Sequence, residues 1–176
     1  MLDNVKRISI IGGPGAGKTT LAKNIGKELN IPVCHIDGIH YLENWKLRDP
    51  EEQDRIILEK VKEAEWIMDG TYKSTLVERV EKADMVIFLD YSTIARLKSV
   101  WSRHFKTMGK EKPEIPGCKG NMTYQFMKFS TNWNKIEGND IKQLLKDNKD
   151  KEILVFKNRK LLNKWYEEQF NKKIEI

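Results

Sequence analysis

Cysteine is nearly absent: Cys34 and Cys118 are the two that 176 residues contain. They form neither a metal-type pair nor a disulfide framework, so reduced thiols and a cytoplasmic setting are expected. Histidine is as scarce, and His35, His40 and His104 show no ligand spacing, which argues against a zinc site. Long apolar runs are missing too. The longest, such as Met85-Val86-Ile87-Phe88-Leu89, fall far short of a membrane span. The opening Met1-Leu2-Asp3-Asn4-Val5-Lys6-Arg7 lacks the basic-then-apolar order of a secretory leader. What remains is an ordinary globular composition, 39% hydrophobic and 33% charged, which predicts one domain over residues 1–176 with a single core.

Charge is unevenly spread. Residues 1–60 are balanced, whereas residues 91–135 hold nine Lys/Arg against two Asp/Glu, a local +7 that exceeds the +6 of the whole chain. Such a field favours an anionic partner, polyphosphate or nucleic acid, although a solvated basic face would look the same.

Short β-branched runs alternate with amphipathic stretches, the pattern of an α/β domain with a mostly parallel sheet. Strands are expected at Arg7–Ile11, Val33–Ile36, Trp66–Asp69, Met85–Asp90 and Ile153–Phe156. Helices are expected at Lys18–Leu29, after Asp49-Pro50, at Ser74–Ala83, Ser92–Met108, Thr123–Trp133, Asp140–Asn148 and Arg159–Phe170. In the helix from Ser92, the residues Ile94, Leu97, Trp101, Phe105 and Met108 make one apolar stripe. Arg96 and Arg103, seven apart and so within about 20° of each other, lie nearly opposite it and face either a cleft or water. Residues 109–120, dense in Gly, Pro and Lys, read as a mobile loop inside a short helical lid spanning about residues 106–135.

The strongest signal is Gly12-Gly13-Pro14-Gly15-Ala16-Gly17-Lys18-Thr19-Thr20, a G-x-x-x-x-G-K-T sequence between a strand and a helix. The glycines let successive N–H groups curl around a β-phosphate, and the helix adds the positive end of its dipole. Lys18 reaches the β/γ-phosphates and Thr19 ligates Mg²⁺. ATP and Mg²⁺ are the expected cofactors. A signalling GTPase needs an Asp-x-x-Gly switch, which none of the ten aspartates begins; Asn134-Lys135-Ile136-Glu137 only echoes a guanine-reading motif from within a polar helical stretch. Three aspartates end predicted strands next to the phosphate loop: Asp37, Asp69 and Asp90. A carboxylate there holds a metal ion, takes a proton from an attacking hydroxyl, or merely caps the next turn. Asp37 and Asp69 each meet a loop, so function is favoured there; Asp90 abuts a helix, so capping is.

These residues resemble the adenylate-kinase-like P-loop kinases, and within them are similar to the DNA topology modulation (FlaR-like) branch. The likeness rests on Gly12–Thr20, His35-Ile36-Asp37, Trp66–Tyr72, Ala83–Asp90, and Lys112-Pro113 with Gly117-Cys118. It implies a three-layer α/β/α fold with a five-stranded parallel sheet in the order 2-3-1-4-5. It also implies ATP on Gly13–Thr20 and an acceptor near the ends of strands two and three. Arg96 and Arg103 would serve as lid arginines on the transferring phosphoryl, Asp69 with Thr19 would hold the metal, and Arg159, in Lys157-Asn158-Arg159, would meet the base. The sequence departs from adenylate kinase after Asp69-Gly70, where Thr71-Tyr72-Lys73 replaces a Pro-Arg that grips an acceptor phosphate. Asp37-Gly38 is similar instead to kinases that phosphorylate a hydroxyl. A phosphotransferase acting on a small acceptor follows as the expectation, as a monomer or homodimer without a membrane. The alternative is a nucleotide-binding regulator whose basic lid touches DNA, although no helix-turn-helix or zinc module is present.

Overall fold

Ile8, Ile10 and Ile11 are fully buried because the run that carries them is the central strand of a parallel sheet, covered on both faces. The computed structural model describes residues 2, 4–120, 122–148 and 150–175. Strand β1 (Arg7–Gly12) is followed by α1 (Lys18–Leu29), β2 (Val33–His35), a short α2 (Ile36–His40) and a 3-10 turn at Glu43–Trp45. Next come α3 (Pro50–Val61), β3 (Trp66–Asp69), a 3-10 turn at Lys73–Thr75, α4 (Leu76–Lys82) and β4 (Met85–Leu89). The remainder is α5 (Thr93–Thr107), a hairpin of β5 (Glu111–Lys112) and β6 (Ile115–Lys119), α6 (Tyr124–Trp133), a π turn (Asn134–Gly138), α7 (Asn139–Asp147), β7 (Glu152–Phe156) and α8 (Arg159–Phe170).

The five-stranded sheet runs β2-β3-β1-β4-β7, all parallel, which is the expected order with the lid hairpin counted in. Alternation in β4 sends Met85, Ile87 and Leu89 to one face, where α1 and α8 supply Leu21, Ile25, Leu162 and Tyr166. Val86 and Phe88 point to the other face, packed by Ile57 and Val61 of α3, Val80 of α4, and Ile141 and Leu145 of α7. The result is a three-layer P-loop kinase fold. Helix starts follow local chemistry: Asp49 accepts from the N–H groups of Glu51 (3.0 Å) and Glu52 (3.1 Å) ahead of Pro50, and Asn158 accepts from Leu161 N–H (3.0 Å).

Three expectations need correction. Residues 109–120 are not an open loop and the lid is not wholly helical. Glu111–Lys112 and Ile115–Lys119 pair antiparallel, and Met108 bridges Gly120, because the Pro113-Glu114 turn brings the two arms together. The strand expected to reach Ile36 stops at His35, so Asp37 lies in the first turn of α2 rather than on a strand end. On α5 the apolar stripe faces outward. Ile94, Trp101, Phe105 and Met108 are exposed, while Arg96 is fully buried. Burial there is decided by what Arg96 meets, not by the periodicity of the apolar residues.

Candidate active site

The phosphate loop carries its conformation in its glycines and in what they touch. Gly15 has φ 79°, and a Cβ there would stand 2.4 Å from the Arg96 carbonyl oxygen. A Cβ on Gly13 would stand 2.7 Å from Arg96 Nη1 and 2.8 Å from the Trp133 ring. Only glycine fits at either position. Arg96 is the buttress behind the loop. It donates to the carbonyls of Pro14 (3.3 Å) and Ser130 (3.2 Å) and to Asn134 Oδ1 (3.1 Å), with its guanidinium 5.1 Å above the Trp133 ring. Trp133 is fixed in turn by its indole N–H, which donates to Glu137 Oε2 at 2.7 Å from within the π turn. A half-buried Glu137 has its carboxyl pushed up by desolvation, against the pull of the Trp133 indole N–H and of Lys73 and Lys18. Arg96 therefore does not look into the cleft, one of the two orientations its helical position left open.

Lys18 donates to the carbonyls of Gly12 (2.8 Å) and Gly13 (3.3 Å). Desolvation lowers its pKa, Asp37 and then Asp69 oppose that, and Arg103 and Arg96 add to it. A desolvated ammonium answered only by carbonyls is set to receive an anion. Thr71 was not singled out from the sequence, yet its hydroxyl donates to Gly12 O at 2.9 Å and so ties β3 to the loop.

Asp69, at the end of β3 and 4% exposed, is held from two sides. The Thr19 hydroxyl donates to its Oδ2 at 2.7 Å, and His35 Nδ1 contacts its Oδ1. Thr19 and Asp69 offer a hydroxyl and a carboxylate side by side, a hard-oxygen pair suited to a Mg²⁺ that keeps waters and phosphate oxygens as its other ligands. Among the described residues no group of three or more His, Cys, Asp and Glu could hold a metal alone.

Asp37, exposed in the first turn of α2, acts through its charge on Lys18 of the phosphate loop. Tyr72 donates its hydroxyl to Asp37 Oδ1 at 2.9 Å, and burial, then the Asp37 charge and that bond, drive the Tyr72 pKa far up. Burial raises Tyr41 too, with Asp37 the next cause. His40 stands 4.7 Å from the Tyr72 ring and 4.5 Å from that of Tyr41, which meets Trp45 edge-on at 5.1 Å. The β5–β6 hairpin closes over this group. Trp45 donates from its backbone N–H to Cys118 Sγ (3.2 Å) and from its indole to Lys119 O (3.0 Å), and Cys118 donates to Leu42 O (3.3 Å). Asn44 and Trp45 both take left-handed φ, 58° and 61°, a strained pair that these contacts hold. A Cβ on Gly38 would lie 2.5 Å from Glu114 O, and Lys23 of α1 pairs with the Glu114 carboxylate.

Arg103 is exposed and lines a small cavity at the lid base with Lys112, His104 and Phe126. Lys112 sits 4.5 Å over the Trp45 ring, its pKa lowered by desolvation first and Arg103 second. The lid thus brings Lys112 to the cleft alongside Arg103. Its sequence signal was the Lys112-Pro113 pair, but only the hairpin shows where it points. Arg159 Nη2 donates to Ser99 Oγ (3.3 Å) and lies about a side chain's width from Gly17, at the open end of the loop. Asp90 does not cap α5, since Ser92 does so through Ala95 N–H (3.3 Å); instead Asp90 pairs with Lys142 at 3.2 Å and with Lys157.

Known structures share this architecture. Deoxyadenosine kinase from M. mycoides with bound dATP matches at TM-score 0.51 and 16% identity, over 94% of this chain and 100% of that one. Shikimate kinase from Acinetobacter baumannii in complex with shikimate matches at TM-score 0.57 and 16% identity, over 99% of this chain and 98% of that one. At that identity the likeness shows the fold. No curated protein matches the sequence. Among the described residues no helix is long and apolar enough to cross a membrane. The family model described as an AAA domain, AAA_28, covers residues 7–125, which contain the phosphate loop, Asp37, Asp69 and the lid hairpin, and the chain belongs to that family.

Proposed function

We propose that the protein is an ATP- and Mg²⁺-dependent phosphotransferase that phosphorylates a hydroxyl on a small acceptor. The observation that carries this reading is a pair of carboxylates with different surroundings, one bonded to Thr19 of the phosphate loop and one to Tyr72, whose charges both act on Lys18. Asp69 is locked to Thr19 on the metal side, and Asp37 stands against the Tyr72 hydroxyl. The same loop, sheet order and kinase neighbours support it.

The chain's residues divide the work. Backbone N–H groups of Gly13–Thr20 cradle the polyphosphate, and Arg159 borders the open end where a base would lie. Thr19 and Asp69 would hold Mg²⁺, which supplies charge neutralisation between the phosphates. Asp37 orients the acceptor hydroxyl and takes its proton as the oxygen–phosphorus bond forms and the bond to the leaving diphosphate breaks. Lys18 and Arg103 carry the charge on the transferring group, with Lys112 beside them. Arg96 acts behind the loop as a positioning residue.

ADP release from Mg²⁺-ATP over a panel of hydroxyl compounds tests this, with Lys18→Ala and Asp37→Asn alongside. Acceptor-stimulated release lost in both variants is the expected result. Nucleotide binding with release stimulated by DNA alone would replace the reading with a DNA-directed nucleotide-dependent regulator.

A further inference from the structure

Helix α5 turns its apolar stripe to solvent. Ile94 is 69% exposed, Trp101 45%, Phe105 70% and Met108 63%. Helical spacing sets them in one row about 20 Å long. Large apolar side chains scattered singly over a surface need no explanation, but a contiguous row does. Trp101 and Phe105 lie against each other, with ring centroids 6.0 Å apart and planes inclined by 30°. Lys98, four residues after Ile94 and three before Trp101, stands exposed in the same row.

The charge on α5 and on α6 beside it has one sign. From Tyr91 to Lys110 there is no acid, and α6 has none either. Between Asp90 and Glu137 the acids are Glu111 and Glu114, and both are engaged. Glu111 accepts from Gly117 N–H (2.7 Å), and Glu114 pairs with Lys23. Lys98, Lys106 and Lys128 are exposed and make no ion pair among the described residues.

We propose that this face of α5 docks on an anionic lipid bilayer, with its apolar row among the headgroups and its lysines on lipid phosphates. Charge and shape together choose that occupant. A second copy would press one acid-free face against another, and like charges would repel. Nucleic acid would answer the lysines but offer nothing to Ile94 and Met108, and the Trp101 and Phe105 rings already spend surface on each other. A bilayer takes both parts, since apolar side chains sink below the headgroups while lysines snorkel beside them. That no described helix is long and apolar enough to cross a membrane bears on spanning, not on lying at its surface. Arg103 lines the lid-base cavity from the opposite side of α5, so docking leaves the cleft open. The proposal stands independently of the phosphotransfer reading.

The test is sedimentation of the full chain with sucrose-loaded vesicles of phosphatidylcholine alone and of phosphatidylcholine with phosphatidylglycerol in equal parts. The mixed vesicles should bind about tenfold more tightly than the neutral ones, and high salt should shrink that difference several-fold. Phe105→Ser, which keeps the charge, and Lys98→Glu, which keeps the apolar row, should each weaken binding about tenfold. Both side chains are exposed, so wild-type Tm and wild-type affinity for an ATP analogue certify the folds. Lys82→Glu makes the same charge change at the last residue of α4, by the sheet edge where β4 begins. It should leave binding within about twofold. No binding to the mixed vesicles overturns the proposal. An equal loss in Lys82→Glu overturns it as well, by reducing it to diffuse attraction, and so does unchanged binding in Phe105→Ser. A single-stranded oligonucleotide or a dimer held in place of vesicles, and lost in Phe105→Ser, would give the row to nucleic acid or to a second copy.

Discussion

Arg96 and Arg103 sit one heptad apart on α5, yet the structure gives them opposite duties, and replacing each by Met separates the two. Arg96→Met removes a fully buried guanidinium with bonds to two carbonyls and to Asn134, and strips the Trp133 face of its cation. Leaving the Pro14 and Ser130 carbonyls unanswered costs about 1–3 kcal/mol apiece, and the lost cation–π contact about 1–2 kcal/mol. Two terms run the other way. The bonds are long, at 3.1–3.3 Å, and Arg96 Nε is buried without a partner, so its removal returns a desolvation cost. A net loss near 3 kcal/mol follows, which for a chain of this size lowers Tm by roughly 6–12 °C. Because the same side chain lies against Gly13 and Pro14, affinity for the nucleotide should fall more than tenfold. Arg103→Met should leave stability within about 0.5 kcal/mol and reduce phosphotransfer about 10²–10³-fold. Urea unfolding, nucleotide titration and turnover of both variants read this directly. Wild-type stability in Arg96→Met with a loss confined to turnover would refute the assignment, as would a destabilised Arg103→Met.

Gly38→Ala should push the hairpin off α2, since its new Cβ would stand 2.5 Å from the Glu114 carbonyl; trypsin cleavage at Lys110 or Lys119 should speed up several-fold, and an unchanged digestion rate would contradict the closed lid. Burial pushes the Cys34 thiol up to about 11, so at pH 8 only about one molecule in a thousand carries the thiolate. With Cys118 fully buried, the native chain should react with a disulfide reagent far more slowly than the urea-unfolded one, and equal rates would sink the point. Asp84 accepts from the N–H groups of Lys6 (3.1 Å) and Arg7 (2.8 Å) and from Arg7 Nη2 (2.9 Å). Burial works against its ionisation, but the Arg7 side chain and those two N–H groups outweigh it and hold the carboxyl below its usual range. A depressed carboxyl stabilises the fold above the unfolded value near 4 and loses that contribution as pH falls through its folded value. The stability gap between wild type and Asp84→Asn should therefore be open at pH 7 and narrow towards pH 3; a gap independent of pH would show the bonds to be inert.

What could be read from the sequence is what is written locally. The phosphate loop needs nine adjacent residues and the α3 cap needs Asp49-Pro50 and the next two N–H groups, whereas the strand order rests on the resemblance to P-loop kinases and not on any local pattern. What could not be read depends on partners far along the chain. Arg96 is buried by carbonyls and a ring 34 to 38 residues away, so a stripe of Ile94, Trp101 and Phe105 on the opposite side carried no information about which way α5 would turn. Thr71 meets Gly12 across 59 residues and Cys118 meets Leu42 across 76. Such contacts leave no periodic trace. The distinction bears on function because a motif shows which cations exist, whereas tertiary pairing decides which remain free. Arg48, Arg79 and Arg96 are all near the cleft in sequence terms, and all three are consumed by carbonyls or by a glutamate. Arg103 and Lys112 instead line one small cavity at the lid base, with Lys112 over the Trp45 ring, and only the pairing of the hairpin arms brings them together.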